Sequence, residues 1–313
     1  RAQGLGGLWA ARAACIGGFD ATSNTAAAQR YGLAATGTMA HSFIQSYDDE
    51  LEAFRAFARA HGDASVLLLD TYDTLKSGLP NAIRIAEEMA AEGQSLKGVR
   101  LDSGDLAYLS EKVRAGLDEA GLDKVKIVAS NELDEYVIRS LIEQGAQIDL
   151  FGIGTNLVVA RPDAALDGVY KLAQTGDKPR LKASETIEKS TFPGRKAVSR
   201  YYDDEGMLAA DAIHLADEDP PDRMIHPFDA ERSLDLGSLK SRPLLQPVLR
   251  DGHRLDDAAT IDDARDTLRA ALETLPREHQ RFENPHVYKV GLSPKLRELR
   301  DTLLKEKRKA LKS

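Results

Sequence analysis

The sequence predicts an α/β fold: an irregular (β/α) barrel followed by part of a smaller, β-rich second domain. Three observations carry that expectation. Short β-rich runs alternate with longer amphipathic stretches at a spacing of roughly 25–30 residues, the rhythm of repeated βαβ units. Nearly every run ends in a polar, chemically capable residue. After about residue 160 the rhythm gives way to short alternating runs joined by turns.

The predicted strands lie at residues 33–38, 66–70, 98–101, 126–129 and 148–152. Each is short and apolar or β-branched, and ends in polar or glycine residues. Helices are expected over 49–60, 81–91, 106–120 and 132–144, the last opening after Ser130-Asn131 as a cap region. Periodicity alone does not separate an open doubly wound sheet from a closed barrel. The polar ends favour the barrel, which brings the C-terminal tips of all its strands to one site, whereas an open sheet gathers only those beside its switch point. Beyond the barrel, residues 169–173, 180–183 and 197–202 read as antiparallel strands turning at Gly176-Asp177 and Asp204-Glu205-Gly206. The acid- and proline-rich stretch 216–227 reads as an exposed loop, and 242–248, with two prolines, as a sheet edge. Residues 261–273 and 294–308 are helical, and the basic run 305–312 is a solvated helix end. The expected organisation is a catalytic barrel over 1–160, a β-rich segment over 161–250 and a helical segment over 251–313.

Composition narrows the function classes. With 313 residues, 42% hydrophobic and 29% charged, the chain can bury a substantial core. A net charge of −8 argues against a broad electrostatic grip on nucleic acid. No apolar stretch approaches the roughly 20 residues of a membrane span, and no signal peptide opens the chain. The single cysteine, Cys15, excludes an intrachain disulfide and fits a reducing, cytoplasmic compartment. The histidines show no zinc-ligand spacing, so no metal ligands are assigned.

Four constellations stand out. In Gly37-Thr38-Met39-Ala40-His41-Ser42 a strand end meets hydroxyls and a histidine able to accept a phosphoryl group. Taken alone, His41 is better read as bridging neighbouring elements. In Gly98-Val99-Arg100-Leu101-Asp102-Ser103-Gly104-Asp105, strand alternation puts Arg100 and Asp102 on one face. They form either a buried ion pair or a grip on a carboxylate, a phosphate or sugar hydroxyls. In Phe151-Gly152-Ile153-Gly154-Thr155-Asn156, glycines let backbone N–H groups approach a phosphate, a weak signal strengthened by its place at a strand end. The basic stretch from Lys189 to Lys196 is either a turn closing over an anion or a solvated surface turn. Asp70-Thr71-Tyr72-Asp73-Thr74 and Gly17-Gly18-Phe19-Asp20-Ala21-Thr22-Ser23-Asn24 add carboxylates, hydroxyls and small polar groups.

Taken together, these motifs resemble the nicotinate phosphoribosyltransferase family, in the family's order over nearly the whole chain. Asn284-Pro285-His286-Val287-Tyr288 and Gly291-Leu292-Ser293-Pro294 add to the likeness. The resemblance implies a phosphoribosyltransferase-type barrel. It implies that nicotinate and phosphoribosyl diphosphate become nicotinate mononucleotide and diphosphate, with ATP as co-substrate, Mg2+ accompanying the diphosphate and a homodimer as the assembly. By the same resemblance His41 is phosphorylated by ATP. Thr38 and Arg100 contact nicotinate, Thr155 contacts the sugar-phosphate substrate, and Asp102 lies near the ribose. Asp70, Ser130, Asn131, Gly152 and Gly154 complete the expected phosphoribosyl diphosphate site. Asn24 stands where the related nicotinamide enzyme has an aspartate, and a neutral amide avoids repelling a carboxylate. Nicotinamide or quinolinate phosphoribosyl transfer, or an inactive remnant that dimerises or binds nucleotide, are the alternatives. Family members carry a further N-terminal region with an aromatic that stacks on the pyridine ring across the dimer. The sequence opens at Arg1, inside a motif whose arginines line the site, and is expected to be a truncated form.

Overall fold

The computed structural model describes residues 4–165, 168–184, 190–255 and 259–310. Arg1, Lys189 and the last residues of the basic run lie outside them. The chain divides into two compact units, Arg1–Leu166 and Asp167–Ser313.

In the first unit three helices, α1 (Leu5–Ile16), α2 (Thr25–Tyr31) and α3 (His41–Gln45), precede the regular alternation. Then come α4 (Glu50–His61), β1 (Val66–Leu68), α5 (Leu79–Ala91), β2 (Gly98–Leu101), α6 (Leu106–Glu119), β3 (Lys126–Ala129), α7 (Glu135–Glu143), β4 (Leu150–Phe151) and α8 (Thr155–Val158). The four strands pair in parallel in the order β1-β2-β3-β4, forming a curled half-barrel wall. Strand order follows chain order without reversal, so among the described residues there is no switch point of the kind that organises an open doubly wound sheet. This is the α/β barrel architecture expected from the polar tips.

The strands are apolar because helices cover them. Leu67, Leu68, Leu69, Val99, Leu101, Ile127 and Ala129 are fully buried. Helix α5 buries Leu79, Ala82, Ile85, Ala86 and Met89, and α6 buries Leu106, Ala107, Ser110, Val113 and Leu117, each a stripe at helical spacing. Phe54 of α4 is wholly enclosed, and its truncation to alanine is worth about 3–5 kcal/mol.

Two local expectations fail for physical reasons. Residues 33–38 make only a single parallel bridge, Thr22 to Ala35, because alanine and glycine offer little bulk for a strand to pack. Helix α7 starts later than residue 132: Asn131 and Glu132 have φ of 93° and 47°, which a right-handed helix excludes. Asp134 is the cap, accepting from the N–H groups of Tyr136 at 3.0 Å and Val137 at 2.8 Å.

The second unit is built on a six-stranded sheet. Its strands are β7 (Lys196–Tyr202), β8 (Leu208–Leu215), β9 (Arg223–Ile225), β10 (Ser233–Asp235), β11 (Lys240–Pro243) and β14 (Val290–Leu292), in the order β10-β9-β14-β8-β7-β11. The small hairpins β5 (Gln174–Thr175) with β6 (Lys178–Pro179), and β12 (Leu249–Arg250) with β13 (His253–Arg254), stand beside it. Helices α9 (Ile261–Glu273) and α10 (Pro294–Ala310) complete the unit. The turn at Gly176 is present, but strand pairing is confined to two residues on each side, and the flanking Val169, Tyr170 and Leu172 are exposed. Within 216–227, Arg223–Ile225 is a strand that pairs with β10 and β14. β11 is an edge strand, as its proline requires. Strand β14, from the segment expected to be helical, runs parallel to β8 inside the sheet, and α10 ends in exposed Lys307, Arg308 and Lys309.

Candidate active site

Parallel register sets the site. Leu68 lies opposite Arg100, Arg100 opposite Val128, and Val128 opposite Leu150. The next residues therefore leave the sheet together, and Asp70, Asp102, Ser130 and Gly152 form one rim at the C-terminal edge. Backbone bonds carry the pairing to the tips: Leu69 N–H donates to Arg100 O at 3.0 Å, Ser130 N–H to Leu101 O at 2.9 Å and Gly152 N–H to Ala129 O at 2.8 Å.

The rim is cross-linked. Asp70 Oδ2 accepts from Asp102 N–H at 3.1 Å and from the Ser103 hydroxyl, so one carboxylate fixes the path of the neighbouring tip. The Ser130 hydroxyl donates to Asp102 Oδ1. Asp102 Oδ2 faces His41 Nε2 at 3.6 Å and Arg100 Nη2 at 3.8 Å. His41, the first residue of α3, has its other nitrogen, Nδ1, 3.1 Å from the Thr71 hydroxyl. Arg100 Nη2 donates to Met39 O at 3.3 Å, tying the β2 tip to the segment ahead of His41. Side-chain exposures of 20% for Arg100, 30% for Asp102 and 39% for His41 describe groups sunk in the rim yet reachable.

Two atoms of this rim are buried without a hydrogen-bond partner: Asp70 Oδ1 and Arg100 Nε. A buried unsatisfied polar group costs about 1–3 kcal/mol, more when charged. A carboxylate oxygen and a guanidinium donor thus stand buried and unsatisfied on the same edge. The rim also rests on a close backbone contact. A Cβ on Gly78 would sit 2.0 Å from Leu69 O, so only glycine lets the turn ahead of α5 approach the β1 exit this closely.

The remaining predicted residues are placed as follows. Thr38 is half-buried beside Met39, its hydroxyl 3.2 Å from Met39 O. Asn24 caps α2: its Oδ1 accepts from Ala27 N–H at 3.1 Å, which leaves the amide NH2 as the group the side chain offers elsewhere. The bridge from Thr22 to Ala35 ties the Asn24 segment to the strand-like run that leads to His41. Asn131 is exposed in the left-handed region at the β3 tip. Gly154 precedes α8 and Thr155 opens it.

The candidates identified from sequence omit three groups that hold the rim: Thr71, Ser103 and Asn156. Thr71 and Ser103 belong to motifs visible in the sequence, but contacts across 30 and 33 residues have no local signal. Asn156, 9% exposed, donates to Glu132 O at 2.8 Å and so joins the loop after β3 to α8. The basic turn belongs to the second unit. There Lys196 Nζ folds back to Phe192 O at 2.8 Å and Gly194 O at 2.6 Å, and burial lowers its pKa. Its charge is thus engaged within the turn, while Arg195 is exposed.

Comparison with known proteins identifies the family. Residues 3–212 match the model of the nicotinate phosphoribosyltransferase (NAPRTase) family, and residues 195–300 match the nicotinate phosphoribosyltransferase C-terminal domain. A Bacillus subtilis protein named nicotinate phosphoribosyltransferase is 42% identical over 295 residues, 91% of this chain and 60% of its own length. A Mus musculus protein of the same name is 32% identical over 361 residues, covering 97% of this chain and 67% of its own length. The crystal structure of human nicotinic acid phosphoribosyltransferase superposes with a TM-score of 0.82 at 29% identity, covering 97% of this chain and 69% of that one. The chain thus spans about three fifths of the length of the B. subtilis relative.

Proposed function

The chain belongs to the nicotinate phosphoribosyltransferase family, and from that premise we propose that it transfers the phosphoribosyl group of phosphoribosyl diphosphate to nicotinate. The products are nicotinate mononucleotide and diphosphate, with ATP hydrolysis coupled through His41. The observation that supports this most is the pair of unsatisfied buried atoms, Asp70 Oδ1 and Arg100 Nε, on the rim that also carries His41 and Asp102.

In the transfer, the pyridine nitrogen of nicotinate forms a bond to the anomeric carbon as the bond from that carbon to the diphosphate oxygen breaks. Positive charge grows on the ribose, and the Asp102 carboxylate, oriented by Ser130, stabilises it through space. Arg100 takes the nicotinate carboxylate, and the Asn24 amide and Thr38 hydroxyl add donors suited to that anion. Catalysis of this kind depends on position and electrostatics and needs no protein nucleophile.

Energy coupling falls to His41. When its Nδ1–H donates to Thr71, Nε2 keeps its lone pair and attacks the γ-phosphorus of ATP, and ADP leaves. The phosphohistidine adds negative charge on the side of the ring that stands 3.6 Å from the Asp102 carboxylate, and water later restores the imidazole and releases phosphate. Asp70, Asn131, Gly152, Gly154 and Thr155 are the phosphoribosyl diphosphate side of the proposal. The Asp70 and Asp102 carboxylates are hard oxygen donors of the kind magnesium accepts. Bound Mg2+ would neutralise the departing diphosphate. A homodimer in the cytoplasm completes the reading, and light scattering of the purified protein tests the assembly.

The decisive assay supplies phosphoribosyl diphosphate and Mg2+ with nicotinate, nicotinamide or quinolinate, with and without ATP, and follows mononucleotide and diphosphate. Nicotinate mononucleotide formation, raised by ATP together with acid-labile phosphate on His41, is the expected outcome. Turnover confined to nicotinamide or quinolinate transfers the site to one of those substrates. No mononucleotide from any of them overturns the proposal.

A further inference from the structure

Two histidines seven residues apart in sequence come together in the second unit, far along the chain from the rim. Arg277–His279 is a short turn of 3-10 helix following α9, and residues 284–288 lead from it into β14. The two stretches lie side by side: His286 N–H donates to Glu278 O at 2.8 Å. Ligand atoms of Glu278, His279 and His286 all lie within 4.8 Å of one another.

From this geometry we propose that Glu278, His279 and His286 form a site for one divalent transition metal, with zinc the best match. A second observation supports it. His279 Nδ1 sits 2.7 Å from the carbonyl oxygen of His286, and a carbonyl only accepts. The proton of the neutral ring is therefore on Nδ1, and Nε2 holds its lone pair. A histidine held at one nitrogen by a backbone carbonyl, with the other ready to coordinate, is the second-shell arrangement metal sites use to orient their ligands.

The ring is oriented further by its neighbours. Tyr288 meets it edge-on at 5.6 Å, and the His286 ring lies 5.7 Å away at an interplanar angle of 31°. Tetrahedral zinc with bonds of about 2.0–2.2 Å holds its ligand atoms about 3.3–3.6 Å apart. Glu278 and His286 are exposed and close the remaining distance by side-chain rotation. Two imidazoles and one carboxylate favour zinc, nickel or copper over magnesium or calcium, which prefer oxygen shells. Solvent takes the fourth position. The site would clip the loop between His279 and His286 immediately before β14, the strand lying between β9 and β8.

Titration calorimetry with zinc chloride on the whole chain tests this, with absorption of cobalt(II) as an independent readout. The expected result is one zinc equivalent that weakens at least about ten-fold in His286→Ala, weakens less in Glu278→Gln and is unchanged in His253→Ala. Zinc should raise the unfolding midpoint of the wild type by a few degrees and leave His286→Ala unmoved. Should His286→Ala lower the folded fraction, His286→Gln replaces it. A wild type that binds no such equivalent, or one retained at full affinity in the folded His286 variant, overturns the site.

Discussion

Each unit places an arginine on a strand beside an aspartate, and the two pairs are finished differently. In the second unit Arg200 Nε and Nη2 each meet an Asp211 carboxylate oxygen at 2.8 Å, and the Tyr288 hydroxyl adds a bond at 3.2 Å. Asp211 is only 11% exposed. The fork of hydrogen bonds to Asp211 raises the arginine pKa, and burial raises that of Tyr288. In the first unit Arg100 and Asp102 stand 3.8 Å apart, and Arg100 Nε has no partner. The same residue types thus make a satisfied structural pair in one place and an incompletely satisfied pair at the candidate site in the other. Completeness of hydrogen bonding separates them, because a pair satisfied by its own neighbours has nothing left to offer a ligand.

Substitution can break this contrast. The largest effect is expected for Asp102→Ala, with mononucleotide formation reduced about 10²–10³-fold and the unfolding midpoint moved little. Asp211→Ala should do the reverse. Leaving Arg200 without its partner costs about 2–4 kcal/mol of stability, less than for a fully buried pair, while turnover per folded molecule is kept. Denaturant unfolding beside an activity assay distinguishes the two; a matching loss in both measurements for both variants would erase the distinction.

The support beneath the open site gives the next test. Gly78→Ala forces a Cβ against Leu69 O and should cost about 3 kcal/mol or more, lowering the unfolding midpoint and loosening the rim with it. A smaller, purely functional effect is expected at Thr71. Thr71→Val removes the partner of His41 Nδ1 and should slow phosphohistidine formation several-fold, about 1 kcal/mol, without a change in stability.

The smallest effect is one of pH. Burial opposes the charge on Asp149, but the Lys126 ammonium at 2.8 Å and the Ile127 N–H at 2.9 Å outweigh it and hold the carboxyl below its usual range. A depressed carboxyl pKa stabilises the fold above the unfolded value near 4, and that contribution disappears as pH falls through the lower folded value. The advantage of wild type over Asp149→Asn should therefore be under about 1 kcal/mol at neutral pH, begin to fall near pH 4 and vanish below the folded value, as acid-range thermal melts would read.

Much of the barrel unit was legible before folding. Strand runs 66–70, 98–101 and 126–129 are continuous apolar segments, and the helices between them carry their apolar residues at helical spacing, so local period suffices to find both. The antiparallel unit was less legible. Strand β9 hides in an acid- and proline-rich stretch, and β14 follows a loop, because each is held by partners distant in sequence. In the site, Arg100 and Asp102 were readable from strand alternation. The roles of Ser103, Thr71 and Asn156 were not, since each acts through a neighbour supplied by another βα unit.

His41 and the Arg100–Asp102 tip show where the boundary falls. Residue type and local period determine that an imidazole, a guanidinium and a carboxylate sit at the ends of β-rich runs, because side-chain alternation and strand length are properties of a few consecutive residues. Only tertiary structure decides that these ends share one rim, that Thr71 and Asp102 flank the imidazole, and that Asp70 Oδ1 and Arg100 Nε go without partners. Whether a polar atom is satisfied depends on every group within about 3.5 Å of it, and in a parallel sheet those groups come from strands about 30 residues apart.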